Sequence, residues 1–168
     1  QEMQTSRKLF VGRERVVGQI VQGVLATPPQ SFSLVGPKLV GKSQLVKFLA
    51  DEQGPLLGDD TAAQRPSAYR DSSRVIVTWI DCDWRSAQED LIGWLYTSVQ
   101  QHVRERAKIP VNWARIEANP SPSHRLWKLA QELNGRDLRL VLLLDNFDRV
   151  FENQLVHPET VDELRPLT

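Results

Sequence analysis

The segment Ser31–Leu45, SFSLVGPKLVGKSQL, decides the fold of this chain. It begins with an apolar run, Phe32–Val35, which is typical of a β-strand. The pattern G-x-x-x-x-G-K-[ST] follows from Gly36 to Ser43, and an apolar-periodic segment starts at Leu45. A strand, a loop and a helix in this order are the context in which the pattern forms a phosphate-binding P-loop.

Each residue type in the P-loop, Gly36–Ser43, has a chemical reason. Successive backbone N–H groups at a helix N-terminus attract phosphate, and Gly36 and Gly41 let the backbone approach it closely. Lys42 can reach the β- and γ-phosphates, and the Ser43 hydroxyl can ligate Mg²⁺. The predicted nucleotide contacts are Gly36, Pro37, Lys38, Leu39, Val40, Gly41, Lys42, Ser43 and Gln44. A chance match is the competing interpretation, and the flanking strand and helix argue against it.

The composition is that of a globular domain or a part of one. The 168 residues include 21 Lys plus Arg and 21 Asp plus Glu, so the net charge is zero. No basic field indicates nucleic acid, and no polybasic arm or long apolar run indicates a membrane. The single cysteine, Cys82, excludes an internal disulfide and a Cys/His metal site. We expect a buried thiol and a cytoplasmic protein.

Apolar periodicity predicts helices and strands that alternate along the chain. Four helices are predicted, over about 13–26, from the P-loop to Asp51, from Ser86 to Ala107, and from Leu126 to a stop at Gly135. The third of these is predicted to start with a capping box formed by Ser86 and Glu89. Strands are predicted over 74–83 and 139–145, and a long, mobile polar loop over 52–73. The alternation predicts an α/β fold, a three-layer α/β/α sandwich around a mainly parallel sheet.

Carboxylates follow the C-terminal ends of both of these predicted strands. A continuous apolar run ends at Asp145, which could hold Mg²⁺ through water, although a turn-forming role is the competing interpretation. The next residue is Asn146, whose amide can orient a water but cannot accept its proton. Asp148 is therefore the candidate base, with a surface ion pair as its alternative. Asp81 and Asp83 end the other strand, where capping or ion pairing is favoured over a direct role.

Three short segments resemble the STAND branch of AAA+-like P-loop ATPases, which includes the NB-ARC proteins. They are the hhGRE pattern at Phe10–Glu14, the P-loop at Gly36–Ser43, and the run Leu142–Asp148. The resemblance covers about residues 9–150. It implies that ATP and ADP states control self-association, with effector and sensor domains on either side. It also implies that Val11, Gly12 and Arg13 contact adenosine.

The chain departs from this resemblance in two respects. Many members carry an acid at the position of Asn146, so hydrolysis is left open. The family's sensor strand, helical lid and winged helix have no counterpart before Thr168, so 9–168 is expected to be the N-terminal part of the ATPase domain, preceded by a flexible segment 1–8.

The expected function is a Mg²⁺-ATP-dependent signalling switch with slow hydrolysis. The alternatives are a DNA-associated AAA+ ATPase similar to origin-recognition initiators and a non-hydrolysing nucleotide-binding scaffold. A GTPase is disfavoured because the chain has no N-K-x-D segment, which is typical of guanine recognition.

Overall fold

A computed structural model describes residues 13–37, 40–84, 90–106 and 110–152. The chain divides into two compact units, Gln1–Val75 and Ile76–Thr168. The predictions that fall outside the described residues concern the flexible segment 1–8, Val11, Gly12, Lys38, Leu39, Ser86 and Glu89.

The first unit contains helix α1, Glu14–Val24, and helix α2, Lys42–Ala50. Both helices were predicted, because each has apolar side chains at helical spacing. Helix α1 buries Val17, Ile20 and Val21, which form a single stripe along its surface. Helix α2 buries its own apolar stripe at Leu45, Val46 and Leu49.

The predicted strand at Phe32–Val35 was wrong. Residues 31–37 form no strand, and Val35 is 92% exposed. A strand requires a neighbour for its backbone N–H and C=O groups, and the described part of the chain holds a sheet of only two other strands. The Phe32 ring lies instead against Gly23 of α1, so close that a Cβ at Gly23 would overlap the ring.

Residues 52–73 are folded around one buried arginine. Three short 3₁₀ turns follow each other in this part of the chain, Asp59–Gln64, Ser67–Tyr69 and Ser72–Arg74. Arg65 is 1% exposed, and its guanidinium donates to the carbonyl oxygens of Leu56 at 2.6 Å, Gly58 at 3.1 Å and Arg70 at 3.0 Å. The segment predicted as a mobile loop therefore has a polar centre, which hydrophobic patterning does not reveal.

The charge of Arg65 is supported by nearby carboxylates. Burial lowers the pKa of Arg65, and Asp59 and Asp71 oppose that shift. Asp71 is held by hydrogen bonds from Ser73, which lower the pKa of the Asp71 carboxyl. Arg65 is charged at neutral pH, since arginine retains its proton in proteins. The lowered pKa of Asp71 keeps its carboxyl group ionised at the same pH.

Two glycines of the first unit should respond in opposite ways to alanine. A Cβ at Gly54 would overlap the carbonyl oxygen of Phe48 at the end of α2. We expect Gly54→Ala to lower the free energy of unfolding by about 2 kcal/mol. Gly18 lies inside α1 with nothing within 4 Å of its Cβ position, so Gly18→Ala should raise that free energy by about 0.5 kcal/mol. Urea unfolding measures the free energy of unfolding of each variant. A change of the same sign in Gly54→Ala and Gly18→Ala would contradict the packing described at these two glycines.

The second unit is a two-stranded parallel sheet with helices. Its elements are strand β1 Val75–Asp81, helix α3 Leu91–Arg106, helix α4 Trp113–Glu117, helix α5 Pro122–Asn134, strand β2 Arg139–Asp145 and helix α6 Asp148–Glu152. Strands β1 and β2 pair directly. Both strands and helix α5 lie where the sequence predicted them. Helix α3 was predicted, but its predicted start at Ser86 was wrong, because the helix begins at Leu91 and Asp90 Oδ1 accepts from the Gly93 N–H at 2.9 Å. The single-turn helices α4 and α6 were not predicted.

The core of this unit forms where α5 contacts α3, α4 and β2. Helix α5 contributes Leu126, Leu129 and Leu133, all 0% exposed. Alternate side chains of β2, including Leu142 and Leu144, pack against the same core, as the period-2 geometry of a strand requires. The chain is thus a mixed α/β structure with a small parallel sheet, which confirms the predicted fold class at that level.

Candidate functional site

The P-loop leads directly into α2. Gly41 is the N-cap of the helix and has a φ of 82°, in the left-handed region that glycine adopts without strain. The first helical hydrogen bond runs from the Leu45 N–H to the Gly41 carbonyl oxygen at 3.0 Å. The N–H groups of the first helical turn therefore lie next to the loop, as an anion site at a helix N-terminus requires.

Lys42 closes the P-loop. Its ammonium group donates to the carbonyl oxygens of Gly36 at 2.7 Å and Pro37 at 2.9 Å, the first residues of the loop. A cation in the first turn of a helix is opposed by the positive end of the helix dipole. An anion bound at this point would offset that repulsion, so the loop is electrostatically suited to phosphate.

Arg13 lies beside the P-loop. Its Nη2 donates to the carbonyl oxygen of Val40, and a Cβ at Gly41 would be 3.5 Å from its Nη1. The resemblance implied an adenosine contact for Arg13, and the structure places its guanidinium on the loop backbone. Sequence reasoning missed this contact, which joins residues 27 positions apart.

Two further predicted nucleotide contacts lie in the first turn of α2. Ser43, the predicted Mg²⁺ ligand, is half-buried, and Gln44 is exposed. The Gln44 side-chain oxygen would be 3.3 Å from a Cβ at Gly41, so the amide lies over the N-cap. Both side chains are on the helical turn that starts at the P-loop.

In the second unit, acidic side chains gather where the two parallel strands end. We call Asp81, Asp83, Asp145 and Asp148 the acidic edge. Asp145 is only 6% exposed, and its Oδ1 accepts a hydrogen bond from the Asn146 N–H at 3.0 Å. The Asp145 carbonyl oxygen accepts from the Cys82 N–H at 2.9 Å, which sets the register between the strand ends.

Asn146 connects the two strand ends through its side chain. Its backbone φ is 53°, a left-handed conformation that asparagine tolerates. Its Nδ2 donates to Oδ1 of Asp81 at 2.8 Å, across 65 positions of sequence. The same Oδ1 accepts from the Asp83 N–H at 3.0 Å. The amide that was predicted to orient a water thus holds a carboxylate of the neighbouring strand.

The other two carboxylates of the acidic edge are exposed. Asp148 is the first residue of α6, and Asp83 forms an ion pair with Arg149 at 3.3 Å. An exposed pair of this kind contributes little to stability. The ion pair confirms the favoured interpretation of Asp83, and Asp148 stays a predicted base.

The field of the acidic edge acts on Cys82, the free thiol between the strand ends. Burial, followed by the charges of Asp81, Asp145, Asp83 and Asp148, raises the pKa of Cys82 from 9.0 to about 12. The carboxylates therefore disfavour the thiolate form of Cys82.

Cys82 should therefore be inert in the folded protein. A rise in the pKa from 9.0 to about 12 lowers the thiolate fraction about a thousandfold near neutral pH. We expect iodoacetamide to alkylate the native protein at least about a thousandfold more slowly than the urea-unfolded protein at the same pH. Mass spectrometry measures both rates, and equal rates would contradict the buried, anionic environment.

The donors present suit magnesium better than a transition metal. Within the described ranges no three or more His, Cys, Asp or Glu side chains group as a metal site. The hydroxyl of Ser43 in the first unit and the carboxylate of Asp145 in the second unit are each hard oxygen donors, the kind that Mg²⁺ prefers. No helix in the described part of the chain is long and apolar enough to cross a membrane.

Comparison of this chain with protein-family models, curated proteins and solved structures finds no match. The functional interpretation therefore depends on the residues and contacts described above.

Proposed function

We propose that this chain is part of a Mg²⁺-ATP-binding P-loop NTPase module that acts as a nucleotide-controlled signalling switch within a larger multidomain protein. The observation that carries the proposal is the P-loop itself. Gly41 starts α2 in a left-handed conformation, and Lys42 lies on the first two carbonyls of the loop. A loop of this composition at a helix N-terminus is suited to a polyphosphate.

The roles in this proposal follow from the chemistry of each side chain. Lys42 would bind the β- and γ-phosphates, and Ser43 and Asp145 would each serve as a ligand of Mg²⁺. Arg13, which donates to the Val40 carbonyl oxygen, would contact the adenosine. Bound Mg²⁺ neutralises charge on the β- and γ-phosphates. The parallel pairing of β1 and β2 supports the finer fold that we propose, a three-layer α/β/α sandwich with a mainly parallel sheet.

Slow ATP hydrolysis and nucleotide-controlled self-association complete the proposal.

A non-hydrolysing scaffold is the second candidate, and it is favoured by one observation. The residue after Asp145 is an amide that cannot accept a proton, and that amide is already bonded to Asp81. No described contact favours the DNA-associated alternative, and the zero net charge of the chain argues against it.

Calorimetric titration of the full-length protein with Mg²⁺-ATP, Mg²⁺-ADP and Mg²⁺-GTP tests this proposal. We expect the adenine nucleotides to bind, the affinity to fall in Asp145→Ala when Mg²⁺ is present, and phosphate to be released slowly. Light scattering in ATP and in ADP should give different particle masses. Absence of binding by every nucleotide would overturn the proposal, and binding without phosphate release would favour the scaffold.

A further inference from the structure

We propose, on the basis of the nucleotide-binding function above, that Arg13 is a second phosphate-binding cation of the P-loop, in addition to its proposed contact with adenosine. Lys42 donates to the carbonyl oxygens of the first two loop residues, Gly36 and Pro37. Arg13 donates to the carbonyl oxygen of Val40, near the end of the loop. The first unit would then recognise the phosphate chain with two cations rather than one.

The guanidinium of Arg13 lies directly beside the start of α2. A Cβ at Gly41, the N-cap of this helix, would be 3.5 Å from Nη1 and 3.9 Å from Nη2 of Arg13. Both terminal nitrogens are thus close to the backbone from which α2 begins. The first N–H groups of a helix have no acceptor within the helix. The guanidinium therefore lies next to backbone donors that suit the same anion.

Helix α1 fixes the backbone from which this side chain extends. Arg13 is the N-cap residue of α1, and its carbonyl oxygen accepts from the Val17 N–H at 2.9 Å. Val17 is buried as part of the apolar stripe of that helix. The position of the guanidinium therefore depends on the packed core of the first unit, and not on the loop alone.

The positive charge at the N-terminus of α2 is unbalanced. Helix N-termini favour acidic side chains, because the helix dipole places positive charge there. The first turn of α2 contains no acidic residue and begins with Lys42. Among the described residues, no carboxylate forms an ion pair with Arg13 or Lys42. A phosphate chain, which carries several negative charges, would offset the two cations and the dipole together.

A guanidinium has the geometry for this role. It is planar and carries five N–H donors, one of which donates to the Val40 carbonyl oxygen. Others can bind two phosphate oxygens side by side, as arginine does at many phosphate sites. The α-phosphate of a nucleotide is bonded to the ribose. One arginine at the loop can therefore contact both the adenosine and the phosphate nearest to it.

Calorimetric titration of the full-length protein with inorganic tripolyphosphate in the presence of Mg²⁺ tests this role, because that probe has a phosphate chain and neither base nor ribose. We expect Arg13→Gln to weaken the binding of tripolyphosphate about tenfold or more. Glutamine removes the charge, but its amide can still donate to the Val40 carbonyl oxygen. The affinity for Mg²⁺-ATP should fall by at least the same factor.

Arg15→Gln is the matched control, since Arg15 is exposed on α1 and its loss changes the net charge by the same amount. We expect the affinity of this variant for tripolyphosphate to stay within about twofold of the wild type. Arg13→Lys keeps the charge but not the planar fork. It should recover at least about threefold of the affinity that Arg13→Gln loses.

Thermal unfolding separates ligand binding from a purely structural role of Arg13. Without ligand, the Tm of Arg13→Gln should stay within about 2 °C of the wild type, because the lost charge was repelled by the helix dipole. Addition of tripolyphosphate should raise the Tm of the wild type more than that of Arg13→Gln, since a ligand stabilises the folded state according to its affinity.

Three results would overturn the role of Arg13 and leave the nucleotide-binding proposal intact. Unchanged affinity of Arg13→Gln for both tripolyphosphate and Mg²⁺-ATP would make Arg13 a clamp of the loop backbone only. Weaker binding of Mg²⁺-ATP with unchanged binding of tripolyphosphate would leave the adenosine contact alone. A wild type that binds Mg²⁺-ATP and not tripolyphosphate would also contradict recognition of the phosphate chain. Failure of the wild type to bind either ligand or any other nucleotide would instead overturn the proposed function, and with it the role of Arg13.

Discussion

Replacement of Lys42 by alanine is expected to weaken Mg²⁺-ATP binding by about a hundredfold or more. The ammonium group can exchange its two bonds to the carbonyls of Gly36 and Pro37 for charge-assisted bonds to phosphate oxygens. Loss of such bonds costs about 3 kcal/mol of binding free energy, which corresponds to about a hundredfold in Kd. Isothermal titration calorimetry measures the change directly.

The fold should tolerate this substitution. A cation in the first turn of α2 opposes the helix dipole, so its removal offsets part of the loss of the carbonyl contacts. We expect the unfolding free energy of Lys42→Ala to stay within about 1 kcal/mol of the wild type. Lys47→Ala is the matched control, since Lys47 is an exposed lysine of the same helix. Equal nucleotide affinity in the two variants would contradict the phosphate role of Lys42.

Replacement of Arg65 by methionine is expected to lower the free energy of unfolding by about 3 kcal/mol. The guanidinium is buried and satisfies the carbonyl oxygens of Leu56, Gly58 and Arg70. Methionine fills much of the volume but donates no hydrogen bond, so these carbonyls lose their donor. Each buried acceptor left unsatisfied costs about 1–3 kcal/mol, and partial entry of water limits the sum.

Urea unfolding followed by tryptophan fluorescence and circular dichroism measures this loss. The matched control is Arg70→Met, because the Arg70 side chain is exposed and the substitution leaves its carbonyl in place. We expect the control to change the unfolding free energy by less than about 0.5 kcal/mol. An equally small effect of Arg65→Met would show that the polar centre does not order the 52–73 segment.

Local periodicity was enough to predict most of the regular elements. Helices α1, α3 and α5 bury apolar stripes at helical spacing, and β1 and β2 are apolar runs that end at aspartates. These features are encoded by residues close together in sequence. The left-handed Gly41 at the start of α2 was predicted for the same reason, since it is a local property of the chain.

Contacts between distant residues could not be predicted in this way. The residues next to Arg65 in the sequence are mostly polar. They therefore predict an exposed side chain and give no indication that Arg65 is buried. The apolar run Phe32–Val35 has the composition of a strand, but its conformation depends on a pairing partner elsewhere in the chain. The contact of Arg13 with the P-loop backbone likewise joins residues 27 positions apart.

The sequence by itself determined helices α1, α2, α3 and α5 and the two strands with carboxylates at their ends, because spacing and residue type carry that information. Only the tertiary structure decided which polar groups meet. Asn146 and Asp81 are 65 positions apart, and the parallel register of β1 and β2 brings the amide to the carboxylate. A hydrogen bond depends on distance in space, so this contact could be identified only after the strand ends were seen side by side.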